Sequence, residues 1–138
     1  MADTMTLKLV TPHARLFDGP AAMFVAPGKL GEFGVLPGHD PWFVALGVGS
    51  LVVTKPSGET KEYFLNGGYC QIDDDNVVML AEVAEPGDKI DVERAKAAKQ
   101  RAEERLKNTA KDDSIDLMRA EFALRRALYR LEVAGRAK

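Results

Sequence analysis

Four arginines, Arg94, Arg101, Arg126 and Arg130, are the side chains of this sequence best suited to hold a charged ligand. Each guanidinium is a planar fork of donors that matches phosphate oxygens in paired contacts. At about 100° per helical residue, Asp91, Arg94, Ala98 and Arg101 fall within one face. Arg119, Arg126 and Arg130 share a face of a later helical segment. If the two segments form a hairpin, Arg94, Arg101, Arg126 and Arg130 can meet in one phosphate-binding patch. Ile90, Asp91 and Ala95 stand beside Arg94 at the start of the first segment. The plainer account is that the arginines solvate the helices and pair with Glu103, Glu104 and Glu121. Surface pairs of that kind contribute only ~0–1 kcal/mol.

A second candidate is the stretch from Gly31 to His39. Gly31, Gly34 and Pro37-Gly38 constrain its backbone, so that Glu32 and His39 present a carboxylate and an imidazole at a rigid edge. Here the plainer account is a surface turn with ordinary charges. His13 has no comparable context and reads as a surface residue. The acidic run Asp73-Asp74-Asp75 is too short for a calcium loop, and no cluster has metal-ligand spacing, so no metal is expected. The sequence has no Gly-x-x-x-x-Gly-Lys-Ser/Thr loop and no supported Ser-His-Asp or Cys-His arrangement. No catalytic residue and no required cofactor are therefore expected. Cys70, the only cysteine, lies in a strand-like stretch and reads as a small core residue.

The elements that would carry these residues differ sharply between the two parts of the chain. All prolines lie between Pro12 and Pro86, and only Gly135 among the glycines lies beyond Gly87. Residues 1–90 carry 6 Lys/Arg and 12 Asp/Glu, a formal −6, and residues 91–138 carry 13 and 9, a formal +4. An acidic, turn-rich part meets a breaker-free, mildly basic part at Pro86-Gly87. The first part holds short apolar segments: 7–10, 22–25, 51–53, 63–65 and 77–80. Turn signals separate them at Asp18-Gly19-Pro20, Pro27-Gly28, Pro37-Gly38, Pro56-Ser57-Gly58, Asn66-Gly67-Gly68 and 73–76. This spacing predicts an antiparallel sandwich or barrel, with a hairpin turn at Pro56-Ser57-Gly58.

The second part predicts two helices. Asp91 can cap the first, which runs through Lys107 with Ala95, Ala98, Ala102 and Leu106 as a narrow stripe. After a polar break at 108–113, Asp113 or Ser114 can cap the second, with Leu117, Leu124, Leu128 and Leu131 as its apolar stripe. A short break between amphipathic helices predicts an antiparallel hairpin. Its alanine-built core is thin, so the pair should be marginal unless it docks on something. The expected fold is α+β: a β-domain over residues 1–88 and a helical hairpin over residues 89–138.

Bulk properties narrow the partners. The chain of 138 residues is 46% hydrophobic and 29% charged, with a formal net charge of −2, which gives no reason to expect a nucleic-acid partner. The start, Met-Ala-Asp-Thr-Met-Thr, lacks the basic and apolar runs of a signal peptide. No stretch approaches the ~18 apolar residues of a membrane span, so membrane association is expected only through a partner.

Three stretches resemble the epsilon subunits of bacterial-type rotary (F-type) ATP synthases. Gly31-Glu32-Phe33-Gly34-Val35-Leu36-Pro37-Gly38-His39 resembles the family's Gly-Glu-x-Gly-x-x-Pro-Gly-His loop. Asn66-Gly67-Gly68-Tyr69 resembles its Gly-Gly-aromatic turn, and Ile90-Asp91-Val92-Glu93-Arg94-Ala95 its Ile-Asp-x-x-Arg-Ala motif. The likeness covers essentially the whole chain in the right order. It implies a sandwich of about ten strands followed by an antiparallel two-helix hairpin. It also implies a non-catalytic rotor subunit at the foot of the central stalk, with the gamma subunit and the c-subunit ring as partners. Glu32 and His39 would face the polar loops of the c ring. The hairpin would fold down on the sandwich, or extend towards the alpha and beta subunits and block ATP hydrolysis. In the extended state its arginines would meet acidic residues of beta.

Family members that bind ATP as a regulatory ligand use positions matching Glu85, Ile90, Asp91, Arg94, Ala95, Arg101, Arg126 and Arg130. This chain departs from them at Pro86-Gly87, which bears most on Glu85, and at the large Trp42-Phe43 pair, either a core anchor or part of the gamma contact. The expected location is the cytoplasmic face of the bacterial plasma (inner) membrane, peripheral, in a proton-translocating complex. Two other classes stay open on residues alone. One is a freestanding nucleotide-sensing module; the other is a small β-domain enzyme with a helical dimerisation tail.

Overall fold

The computed structural model describes residues 3–108 and 116–136. Seven strands form one hydrogen-bonded network: β1 (Met5–Val10), β2 (Arg15–Ala21), β3 (Met23–Gly28), β4 (Gly31–Val35), β5 (Trp42–Thr54), β6 (Thr60–Asp73) and β7 (Asn76–Pro86). Their order is β2-β1-β7-β6-β5-β3-β4. Strict alternation sets the faces. In β1, Met5, Leu7 and Leu9 enter the core while Thr6 and Lys8 face out.

The three longest strands change which residues face inward. Tyr63 and Leu65 of β6 point into the core, and so do Cys70 and Ile72, so the inward set passes from odd to even positions. β5 shifts likewise, from Val44 and Leu46 to Leu51 and Val53, and β7 from Val77, Met79 and Ala81 to Ala84. In β6 the change falls at Gly67 and Gly68, whose φ values of 77° and 118° suit glycine. Strands that turn this way pass from one layer of a sandwich to the other. The network thus has seven strands where about ten were expected, because β5, β6 and β7 each run on through the change of face rather than ending at it.

Several punctuation residues do other work than ending strands. Asn66-Gly67-Gly68 is a bend inside β6, because both neighbouring strands continue their pairing past it. Asp18-Gly19-Pro20 lies within β2, an edge strand, where the missing proline N–H removes no ladder bond. Pro27-Gly28 ends β3, and Gly31-Glu32-Phe33-Gly34 is strand β4 rather than loop. β1 and β7 pair in parallel, the exception in an otherwise antiparallel network. The long intervening chain permits this, since parallel neighbours need a crossover of roughly a dozen residues or more. The turn at Pro56-Ser57-Gly58 closes as expected, with the Lys55 N–H donating to the Glu59 carbonyl at 2.8 Å. Asp74 and Asp75, with φ of 49° and 60°, make the tight left-handed turn between β6 and β7.

A short 3-10 turn, Gly87–Lys89, leads from β7 into α1 (Val92–Asn108). Asp91 caps α1, its Oδ1 accepting from the Arg94 N–H at 3.0 Å. α2 (Leu117–Arg136) is capped by Asp116, whose Oδ1 accepts from the Arg119 N–H at 3.1 Å. The sequence candidates Asp113 and Ser114 lie outside the described residues. Alanines dominate the helix–helix seam: Ala95 and Ala102 on α1, Ala120 and Ala127 on α2. The leucine stripe expected on α2 is not its buried face, for Leu117 and Leu128 are exposed. Small residues win that position because they let the helices approach closely. α2 also packs on β5 and β6. There Phe64, Ile90, Val133 and Ala134 form a second apolar cluster beside Val48, Val92 and Tyr129.

Two measurements check this packing. A Cβ at Gly68 would run into the Leu80 carbonyl, whereas one at Gly19 meets nothing within 4 Å. Gly68→Ala should therefore cost roughly 3 kcal/mol in urea unfolding, and Gly19→Ala within about 0.5 kcal/mol. Burial pushes the Cys70 thiol from its ordinary 9.0 up to about 12. The folded state then favours the protonated thiol, so this contribution to stability is complete below pH 9.0 and is lost as pH rises towards 12. Burial, then the charge of Asp88, shifts Tyr63 in the same direction. Stability measured from neutral to strongly alkaline pH should fall less steeply in Cys70→Ala than in the parent; equal slopes would contradict the burial.

Candidate functional site

The start of α1 gathers most of the nucleotide-site candidates. Glu85 sits near the end of β7, and Ile90 lies just past the 3-10 turn. Ile90 is buried in the cluster under α2, and Ala95 is buried in the helix–helix seam. Both are covered while the hairpin is docked. One Asp91 carboxylate oxygen is engaged by the helix cap and its backbone carbonyl by the Ala95 N–H at 3.0 Å.

The arginines lie on one flank of the hairpin. Arg94 and Arg101 each precede a buried alanine of α1 by one residue, and Arg126 precedes the buried Ala127 of α2 by one. In an antiparallel pair, residues with the same offset from the facing seam share a flank. Arg130, one turn beyond Arg126, lies there too. It is the most tightly held of the four. Its Nε and Nη2 both donate to Glu85 Oε1 at 2.9 Å, and its guanidinium lies 4.4 Å over the Phe64 ring. Among the described residues, the side chains of Arg94, Arg101 and Arg126 enter no ion pair. Glu85 and Arg130 thus bind each other, and a phosphate reaching Arg130 would compete with the Glu85 carboxylate.

Arg126 also faces an open cavity of about 690 Å³ between α2 and the sheet, together with Lys29, Glu32, Tyr69, Arg125 and Tyr129. Glu32 is exposed in β4, while His39 lies in the loop beyond that strand. The two therefore stand on different elements. The His39 ring stacks on Trp42 at 5.6 Å, and Trp42 meets Phe33 edge-on at 4.9 Å. Trp42 and Phe43 are 39% and 63% exposed, so neither is a core anchor. Among the described residues, no group of three or more His, Cys, Asp or Glu could hold a metal ion, and no helix is long and apolar enough to cross a membrane.

Reading the sequence alone missed three contributors. Phe64 is the ring under Arg130. Its signal was alternation, since Tyr63, Phe64 and Leu65 cannot all face one side of a strand. Arg136 ties α2 to the sheet, its Nε 2.7 Å from Glu62 Oε2, while its Nη1 donates to Glu132 at 3.1 Å. Nothing local marks that long-range pair. Tyr129, packed against the Phe64 cluster, is the third.

Comparisons with known proteins cover the whole of this architecture. Residues 4–87 match the family model described as the ATP synthase delta/epsilon chain beta-sandwich domain, and residues 88–135 match that of its long alpha-helix domain. The ATP synthase epsilon chain of Trichlorobacter lovleyi is 45% identical over 137 residues, covering 99% of this chain and 98% of that protein. That of Desulforamulus reducens is 46% identical over 134 residues, covering 97% and 99%. Among solved structures, a chain of the Euglena gracilis mitochondrial ATP synthase (OSCP/F1/c-ring, rotational state 1) aligns with a TM-score of 0.81 at 28% identity, covering 97% of this chain and 82% of that one. A chain of the Tetrahymena thermophila mitochondrial ATP synthase central stalk/c-ring shares the fold at a TM-score of 0.58 and 13% identity. With both domains matched in order and at full length, the chain belongs to the delta/epsilon-chain family of ATP synthases.

Proposed function

We propose that this chain is the epsilon-type, non-catalytic rotor subunit of a proton-translocating ATP synthase. Its sandwich sits against the gamma subunit and the c ring, with Glu32 and His39 on the c-ring side, and its hairpin regulates ATP hydrolysis. The complex holds it at the cytoplasmic face of the bacterial plasma membrane. Support for the rotor position comes from the full-length likeness to epsilon chains and from the Euglena assembly, which includes F1 and the c-ring.

The observation that carries the regulatory part is the composition of the seam under α2. A small apolar cluster is supplemented by the two arginine–glutamate bridges, Arg130–Glu85 and Arg136–Glu62. A partner surface can replace such contacts, which makes the docked hairpin one of two states. ATP is the proposed regulatory ligand, its phosphates on the flank of Arg94, Arg101, Arg126 and Arg130, with Glu85, Ile90, Asp91 and Ala95 beside it. Asp91 and Ala95 are engaged in the docked hairpin, so binding also requires a small opening at the start of α1. Because a phosphate on Arg130 gives up the Arg130–Glu85 bridge, ATP stabilises the docked hairpin, and withdraws the block on hydrolysis, only by contacts to arginines of both helices that outweigh that bridge.

Removing residues 89–138 from the assembled motor should raise its ATP hydrolysis rate roughly fivefold or more. An unchanged rate would refute the regulatory role, and failure of the full chain to co-purify with gamma would refute the rotor position. Calorimetry of the full chain with ATP in magnesium-free buffer should give a binding isotherm that Arg126→Ala and Arg130→Ala each weaken roughly tenfold. Absence of heat at millimolar nucleotide would eliminate ATP as the ligand.

A further inference from the structure

The aromatic residues near the start of β5 form a continuous line from the core to the surface. Phe24 is fully buried. Phe33 meets it edge-on at 6.3 Å, Trp42 meets Phe33 edge-on at 4.9 Å, and the His39 ring stacks on Trp42 at 5.6 Å with 27° between planes. The backbone of Trp42 is itself fixed, paired with Ile72 of β6. Its ring is the one link in this line between the sheet and the loop at 36–40.

A second tie reaches the same loop from the other side. The Gly38 N–H donates to Asp75 Oδ1 at 2.7 Å, and Asp75 stands in the tight turn between β6 and β7. The His39 Nδ1 lies 2.6 Å from the Asp40 carbonyl oxygen. That oxygen can only accept, so Nδ1 carries the proton and Nε2 is the ring's remaining polar atom. The loop is thus clamped at Gly38, oriented at His39 and backed by Trp42, while Leu36 stays exposed.

Nearby, Phe43 and Tyr69 stack at 5.3 Å on the outer face of the sheet with no link to the loop. Simple surface aromaticity therefore does not explain Trp42, whose ring is held edge-on by one aromatic and stacked by another. A half-exposed tryptophan in that arrangement braces what it touches.

We propose that Trp42 is a positioning residue: it carries the rigidity of the core to the 36–40 loop and fixes the geometry in which His39 meets a polar, ring-shaped rotor partner. The proposal rests on the assignment of this loop to the c-ring contact and adds the residue that holds it in place. Trp42 acts through His39, so its function is kept by another aromatic and lost with an aliphatic side chain.

The test measures amide hydrogen exchange at Gly38 in the full chain and, separately, binding of the chain to gamma assembled with the c ring. Trp42→Ala should speed exchange at Gly38 and weaken binding, each roughly tenfold. Trp42→Phe should restore most of both, and Phe43→Ala should leave Gly38 exchange unchanged. Asp75→Gly keeps the left-handed turn but deletes the acceptor, so it should loosen the same loop even if Trp42→Ala fails to fold. Unchanged exchange in Trp42→Ala would overturn the brace. Faster exchange with undiminished binding would instead overturn the assignment of the loop to the rotor contact. Loss of binding in Trp42→Phe with Gly38 exchange still slow would make Trp42 a direct contact and overturn its positioning role.

Discussion

The docking of α2 on the outer face of β5 and β6 is the interaction on which the arrangement of this molecule depends. Two helices that face each other through alanines bury little apolar area. Burying a Val, Ile or Phe side chain contributes roughly 1.5–3 kcal/mol, and an alanine contributes less. The hairpin therefore relies on Phe64, Ile90 and Val133, the large members of the cluster beneath α2. A ligand or a partner surface with an affinity between millimolar and micromolar, about 4–8 kcal/mol, works on the same scale.

Charge is arranged around that seam in a consistent way. The sandwich is the acidic part of the chain and the hairpin the basic part. The two bridges between them use an acid of the sheet and an arginine of α2 in each case. Such pairs contribute modestly at the surface and weaken with salt. Arg130 also covers the Phe64 ring, so one side chain of α2 meets both an acid of β7 and an aromatic of β6. The same guanidinium is thus engaged twice in the docked hairpin, by the Glu85 carboxylate and by the Phe64 ring.

The foot solves a different problem. Its layers must join without an open seam, and three long strands do this by crossing from one layer to the other. The glycines at 67 and 68 serve that bend, and the β6–β7 turn holds the loop at 36–40 through Asp75. The two parts of the chain are built from different chemistry. Fully buried Leu, Phe, Ile and Met side chains build the first, and alanine with partly exposed arginine builds the second.

Much of this was legible in the residues themselves. Period-two alternation located five of the strands, and the change in glycine, proline and charge content marked where sheet gives way to helix. Asp91 announced its cap, because capping is a local matter of one side chain and the next turn. The sequence alone missed β2 and β4, edge strands whose glycines and proline read as turns, although each pairs with the strand just before it in the chain. It also could not show that Gly67-Gly68 bends a strand without ending it, nor that alanines, not leucines, form the buried face of α2. Those outcomes depend on what lies opposite each residue after folding. Arg130 on Glu85, Arg136 on Glu62 and Trp42 against His39 belong to the same class. The residue types were visible in the sequence, but long-range packing decided which groups met.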